Sequence, residues 1–128
     1  MKVEIIKCLQ DNYSYLVIDE LTNEACVIDP SEANPIIYYC EKNNIRPKYI
    51  LNTHHHFDHV GGNQEIKSKY DSIILGFRGD KDRIPGIDLL LEDQQIWKAD
   101  NFETKIIHIP GHTKGHISYY FINEKIIF

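Results

Sequence analysis

Thr53-His54-His55-His56-Phe57-Asp58-His59-Val60-Gly61-Gly62-Asn63 is the stretch on which the reading of this chain turns, for it holds four of the seven histidines among 128 residues. Just upstream, Lys48 to Asn52 is a short β-prone run, so the histidines sit at a strand end. In an extended segment residues two apart project to the same side, which lets His54, His56 and Asp58 converge while His55 and Phe57 point away. His59 breaks that alternation and implies a turn that swings another imidazole toward a different point. Two adjacent cation positions follow. Neutral imidazole and carboxylate suit zinc, and also iron or manganese, so the ligand set leaves the metal open. No cysteine lies nearby, which favours a site with solvent positions over a closed structural one. A tag remnant would not be interrupted by Phe57 and Asp58, follow an apolar strand mid-chain and lead into paired glycines.

Working outward, Gly61-Gly62 allows a tight passage into a helix predicted over Asn63 to Tyr70. Upstream, Lys2 to Cys8, Tyr13 to Ile18 and Ala25 to Ile28 are apolar runs parted by Asp11-Asn12 and Thr22-Asn23, the spacing of a β-meander. Ile36, Ile37 and Cys40 then show helical spacing to about Asn44, with Asn34 as the expected N-cap and Pro35 at the first helical position. Downstream come Ser72 to Leu75, a polar connection with Pro85-Gly86, and apolar stretches around Leu89 to Leu91 and Gln95 to Lys98, and then Lys105 to Ile109 reads as another strand. Ser118 to Ile122 and Lys125 to Phe128 read as a hairpin across Asn123-Glu124. This order predicts an α/β or α+β layered structure in a single domain. A second motif, Pro110-Gly111-His112-Thr113-Lys114-Gly115-His116, lies at another strand end and offers His112 as a third imidazole.

A formal net charge of -5 supplies no broad positive field, which argues against a nucleic-acid partner. Arg78, Lys81, Arg83 and Lys98 are interleaved with Asp80 and Asp82, a pattern expected of a mixed solvated surface. No apolar run reaches the ~18 residues that span a bilayer, and the N-terminus has no continuous apolar core of a leader, so a soluble cytoplasmic protein is expected. Cys8, Cys26 and Cys40 are odd in number and widely spaced, which fits buried free thiols in a reducing compartment.

The histidine stretch resembles the signature of the metallo-β-lactamase superfamily, in its glyoxalase II form. Asp11-Asn12-Tyr13, Val27-Ile28-Asp29-Pro30, Ile84-Pro85-Gly86 and Pro110-Gly111-His112-Thr113 with Gly115-His116 extend the resemblance over nearly the whole chain. It implies an αββα sandwich, with His54, His56 and His112 binding a first metal and Asp58 and His59 a second, zinc being the metal of the family. His54, His56, Asp58 and His112 would then carry catalysis. Asp29 would support the site, although a carboxylate merely ending a strand before Pro30 reads equally well. His55 is expected to pack in the loop, His108 to be a strand residue, and His116 to hydrogen-bond around the site without ligating.

The resemblance further implies thioester hydrolysis, S-lactoylglutathione and water giving lactate and glutathione. Metal coordination brings the pKa of water from about 16 to about 7, so no side-chain nucleophile is needed. The chain departs from the family pattern after Lys125-Ile126-Ile127-Phe128, where the family continues into a Gly-Asp motif whose aspartate bridges both metals, then a later histidine and a helical region for the glutathione moiety. The expectations are a partial domain over residues 1–128, an incomplete second metal site, and impaired or absent turnover. The alternatives are a catalytically silent metal-binding fragment and another hydrolase of the superfamily. Uncovered sheet surface is expected to favour self-association.

Overall fold

A computed structural model describes residues 1–128. Its first sheet opens with the meander read from the three apolar runs: β1 (Lys2–Cys8), β2 (Asn12–Asp19) and β3 (Glu24–Ile28), paired antiparallel in chain order. Helix α1 (Ala33–Asn43) crosses over to β4 (Arg46–Leu51), which lies parallel to β3. The single turn α2 (Phe57–Val60) and helix α3 (Asn63–Tyr70) cross over to β5 (Ile73–Phe77), and β6 (Leu89–Leu91) completes a six-stranded sheet. β7 (Ile96–Ala99), β8 (Phe102–His108), β9 (Ile117–Phe121) and β10 (Ile126–Ile127) form a second, antiparallel four-stranded sheet in the order β10-β9-β8-β7.

The period-2 alternation of the first sheet's strands divides the core in two. Leu16, Val27, Ile50 and Ile74 face the helices, packing with Ile36 and Cys40 of α1 and Ile66 of α3. Their sequence neighbours Val17, Cys26, Ile28, Leu51 and Leu75 face the second sheet, meeting Phe102, Ile106, Ile117, Tyr119 and Phe121. Strands buried on both faces read as unbroken apolar runs, as Ala25-Cys26-Val27-Ile28 of β3 and Tyr49-Ile50-Leu51 of β4 do. Helices cover only the outer face of the first sheet. The outer face of the second, with Lys105, Ile107, Tyr120 and Ile127 among its partly or fully exposed residues, carries no helix of this chain, so residues 1–128 build three of the four layers of an αββα sandwich.

Three local expectations are corrected. Helix α1 starts two residues earlier than Asn34-Pro35 suggests, because Pro35 needs no N–H partner anywhere in the first turn. Glu32 precedes it, and its carboxylate accepts from Leu9 N (3.0 Å) instead of capping the helix. Asp58 is not part of an extended run: the chain leaves the strand direction after His56 and places Asp58 and His59 together on α2. Gly61 and Gly62 both have negative φ, so they serve close approach and not an unusual turn. A Cβ on Gly61 would lie 2.6 Å from Ser31 O and 2.9 Å from Phe57 O, which brings α2 against the loop after β3.

Candidate metal centre

Parallel strands deliver their following loops to one edge of a sheet, the usual place for a ligand. Here Asp29 follows β3, and Thr53 and His54 follow β4, whose last residues Ile28 and Leu51 are paired, and the loop between β8 and β9 brings His112 and His116 over from the second sheet. A seam holds the two sheets in this register: Ile117 N donates to Thr53 O (2.9 Å) and the buried Tyr119 hydroxyl donates to Asn52 O (2.8 Å).

The structure brings His54, His56 and His112 together, with one ring nitrogen of each within 4.8 Å of the others. His54 is 3% exposed, His56 is half-buried and His112 exposed, so the cluster is rooted at one end and open to solvent at the other. Neighbouring ligands about 2.1 Å from a tetrahedral ion stand about 3.4 Å apart, so the three rings need only a modest contraction to share one. Asp58 and His59 lie beside this group, His59 Nε2 3.6 Å from Asp58 Oδ2, and His59 also gathers with His54 and Asp29, one ligand atom of each within 4.8 Å of the others.

Hydrogen bonding decides which nitrogen of His54 is free. Asp29 Oδ1 accepts from Thr53 N (2.8 Å), and Asp29 Oδ2 accepts from the Thr53 hydroxyl (2.6 Å). That hydroxyl has one proton, already directed at the carboxylate, so at 2.9 Å from His54 Nδ1 its oxygen accepts and the imidazole Nδ1–H donates. The lone pair then resides on Nε2, a buried atom with no hydrogen-bond partner. An orphaned buried acceptor flanked by two further imidazoles fits a cation. Burial, with His59 nearby, lowers the His54 pKa to about 4, so this ring is neutral at pH 7.

Asp29 adopts a left-handed backbone (φ 49°) that aspartate tolerates. The fully buried Ser14 steadies it, its hydroxyl donating to Asp29 O (2.7 Å) and accepting from Ser31 N (3.1 Å). His59 Nδ1 lies 3.2 Å from Asp29 Oδ2, off-axis for a hydrogen bond. Burial draws the His59 pKa down, but the Asp29 and Asp58 carboxylates outweigh it and leave it raised. Burial pushes the Asp58 carboxyl up, yet Asn12 Nδ2, donating at 3.1 Å, and the nearby His59 leave it below its ordinary value.

His116 packs its ring 4.8 Å from that of His54 but makes no side-chain hydrogen bond, contrary to the sequence expectation. His108 is a strand residue that also latches the His112 loop, through Nε2 to Lys114 O (2.8 Å), while stacking on Phe77. Asp80, expected on a solvated surface, is fully buried, because the short 3-10 turn after β5 folds it inward beneath the histidine loops. Thr53, Ser14 and Asn12 are the residues bonded into the candidate site that sequence reasoning passed over. Thr53 and Asn12 lie inside the quoted motifs, but no local pattern distinguishes their hydrogen-bonding role.

The family model of the metallo-β-lactamase superfamily matches residues 10–128. The hydroxyacylglutathione hydrolase of Pelagibacter ubique is 63% identical over 128 residues, covering 100% of this chain and 54% of the relative. That of Rhodospirillum rubrum is 42% identical over 128 residues, covering 100% and 50%. The Arabidopsis thaliana protein, named hydroxyacylglutathione hydrolase cytoplasmic, is 42% identical over 126 residues, covering 98% and 48%. The chain thus spans about half the length of the curated relatives it matches. Among solved structures, BLEG-1 B3 metallo-β-lactamase superposes with a TM-score of 0.90 at 23% identity, covering 99% of this chain and 70% of that one. ETHE1 from Myxococcus xanthus gives 0.78 at 19%, covering 93% and 53%. At such identities these two share the fold alone.

Proposed function

The chain belongs to the metallo-β-lactamase superfamily, and from that premise we propose that residues 1–128, read as a single unit, carry the metal-binding half of a glyoxalase II-type thioester hydrolase. The reaction is S-lactoylglutathione plus water to lactate plus glutathione. The observation that carries the reading is the buried, unpartnered Nε2 of His54, flanked by His56 and His112 from two separate loops. The relatives named hydroxyacylglutathione hydrolase support the substrate class.

We assign His54, His56 and His112 to the first cation, zinc by family, although iron and manganese suit the same donors. Asp58 and His59 contribute to the second. A divalent cation in such a site supplies Lewis acidity, which eases ionisation of water at neutral pH and polarises a carbonyl. The chain's own residues prepare for this. Thr53 and Asp29 hold His54 with its lone pair outward, and Asn12 fixes the Asp58 carboxylate, ionised at neutral pH, at the solvent side. In the reaction the water oxygen bonds to the thioester carbon, the C–S bond breaks, and the sulfur takes a proton and leaves as glutathione thiol. Cys8, Cys26 and Cys40 are buried and free, and burial raises the pKa of Cys26 and lifts that of Cys40 to about 12, which disfavours a route through a protein thiolate.

Free thiols also suit a cytoplasmic setting, the one printed in the name of the Arabidopsis relative. No helix is long and apolar enough to cross a membrane. The partner we assign is the small glutathione thioester, not nucleic acid, and self-association would use the uncovered face of the second sheet.

A second reading is a metal-binding protein without turnover, since the imidazoles and carboxylates gathered around His54 and His59 would hold a cation whether or not a thioester is cleaved. Metal analysis with a panel of thioester, β-lactam and phosphodiester substrates separates the two. Zinc lost on His112→Ala together with thioester turnover supports the hydrolase. Zinc without turnover supports the second reading, and turnover confined to another substrate class refutes the thioester assignment.

A further inference from the structure

Asp80 has no role in the site as described, and its surroundings are unusual. It is 0% exposed and held on one side by Arg83, whose Nη1 donates to Oδ1 at 3.1 Å. Its other oxygen, Oδ2, has no hydrogen-bond partner. A buried acceptor left without a donor costs about 1–3 kcal/mol, more when charged, so an account of it is owed.

Oδ2 faces His55 Nδ1 at 3.7 Å, and that nitrogen is itself buried and unpartnered. His55 lies between His54 and His56 in sequence, with its ring edge-on to that of His56 at 5.1 Å between centroids. The Asp80 carboxylate is also pressed against Gly115, where an added Cβ would stand 2.4 Å from Oδ1 and 2.5 Å from Oδ2. Gly115 belongs to the loop that presents His112. One carboxylate thus touches both loops from which the three imidazoles converge.

We propose that Asp80 is a positioning residue for the three-imidazole site, orienting the first ligand loop through His55 and seating the loop of His112 through Gly115. This rests on the reading of His54, His56 and His112 as a metal centre. Asp80 belongs to neither group of ligand atoms gathered at the site. Its effect passes through the placement of the loops, as outer groups govern the affinity of many metal sites.

The test is zinc affinity, measured by competition with a chromophoric chelator, and the visible spectrum of the cobalt-substituted protein, for Asp80→Asn, His55→Phe and the double variant. Each single variant is expected to weaken zinc binding about tenfold and to alter the cobalt bands. The double variant is expected to bind no more weakly than the poorer single, since both break one link. Single variants within about threefold of the parent, with unchanged cobalt bands, overturn the proposal. So do losses that multiply in the double variant, the signature of two independent packing defects. If Asp80→Asn does not fold, His55→Phe decides alone, its side chain being 28% exposed and its replacement tolerable. The metal-centre reading fails in a different way: the unsubstituted protein would then bind no zinc that His54→Ala removes, which overturns both.

Discussion

Replacing Thr53 by valine removes one hydroxyl and little else, which makes it a direct probe of how the site is held. The backbone of Thr53 keeps its bonds to Asp29 Oδ1 and from Ile117 N, so the strand end stays in register. Two interactions disappear. The 2.6 Å bond to Asp29 Oδ2 involves a carboxylate and is worth about 1.5–3 kcal/mol, and His54 Nδ1–H, in a residue 3% exposed, loses its acceptor at a cost of about 1–3 kcal/mol. The new methyl recovers about 0.8 kcal/mol by burial. The net expectation is a loss of about 3 kcal/mol, or about 11 °C in Tm for a chain of this size. Urea unfolding of metal-free protein should show the midpoint falling at constant slope. Zinc affinity should fall about tenfold to hundredfold, because nothing then fixes the tautomer that leaves Nε2 free. Thr53→Ser retains the hydroxyl and should bind zinc within about threefold of the parent. Valine at this position with parental stability and zinc affinity would refute the proton assignment from Asp29 through Thr53 to His54.

Further outcomes follow from the same geometry. His54, with a pKa of about 4 in the fold and about 6.5 unfolded, lets the unfolded chain bind more protons between those values. Metal-free protein should therefore lose stability as pH falls from about 6.5 to about 4, by about 3 kcal/mol in all, with His116, lowered by burial, adding to the loss and His59, raised by Asp29 and Asp58, opposing it. Acid titration of Tm checks this, and His54→Asn should flatten the slope. Gly61→Ala forces a Cβ against two backbone oxygens and should lower stability by about 2 kcal/mol in denaturant unfolding. Tyr119→Phe strips a fully buried hydroxyl from Asn52 O and should cost about 1–2 kcal/mol, read by the same method. Zinc at one hundred times its Kd should stabilise the chain by about 2.7 kcal/mol, lost on adding a chelator, and calorimetry with and without chelator measures it.

What the residue order determined by itself is local. The apolar runs of β1 to β3 and the breaks between them set the meander, the polar face of Asn63–Tyr70 set a helix, and the crowding of His54, His56, Asp58 and His59 marked a candidate cation site, because strand runs, helical spacing and ligand chemistry are legible in short windows. What only the tertiary structure decided is every relation between distant segments. His112 joins His54 because Ile117 and Tyr119 tie the second sheet to the end of β4, and Asn12 holds Asp58 because the meander folds back against α2. The proton order at Thr53 depends on Asp29 lying beside it in a parallel pairing. Asp80 looked like one charge in a mixed run, yet it is buried beneath both loops, since charge patterning reports composition while burial depends on which elements pack above. Side-chain contacts between parts far apart in sequence leave no periodic trace, so they emerge only when the two sheets meet.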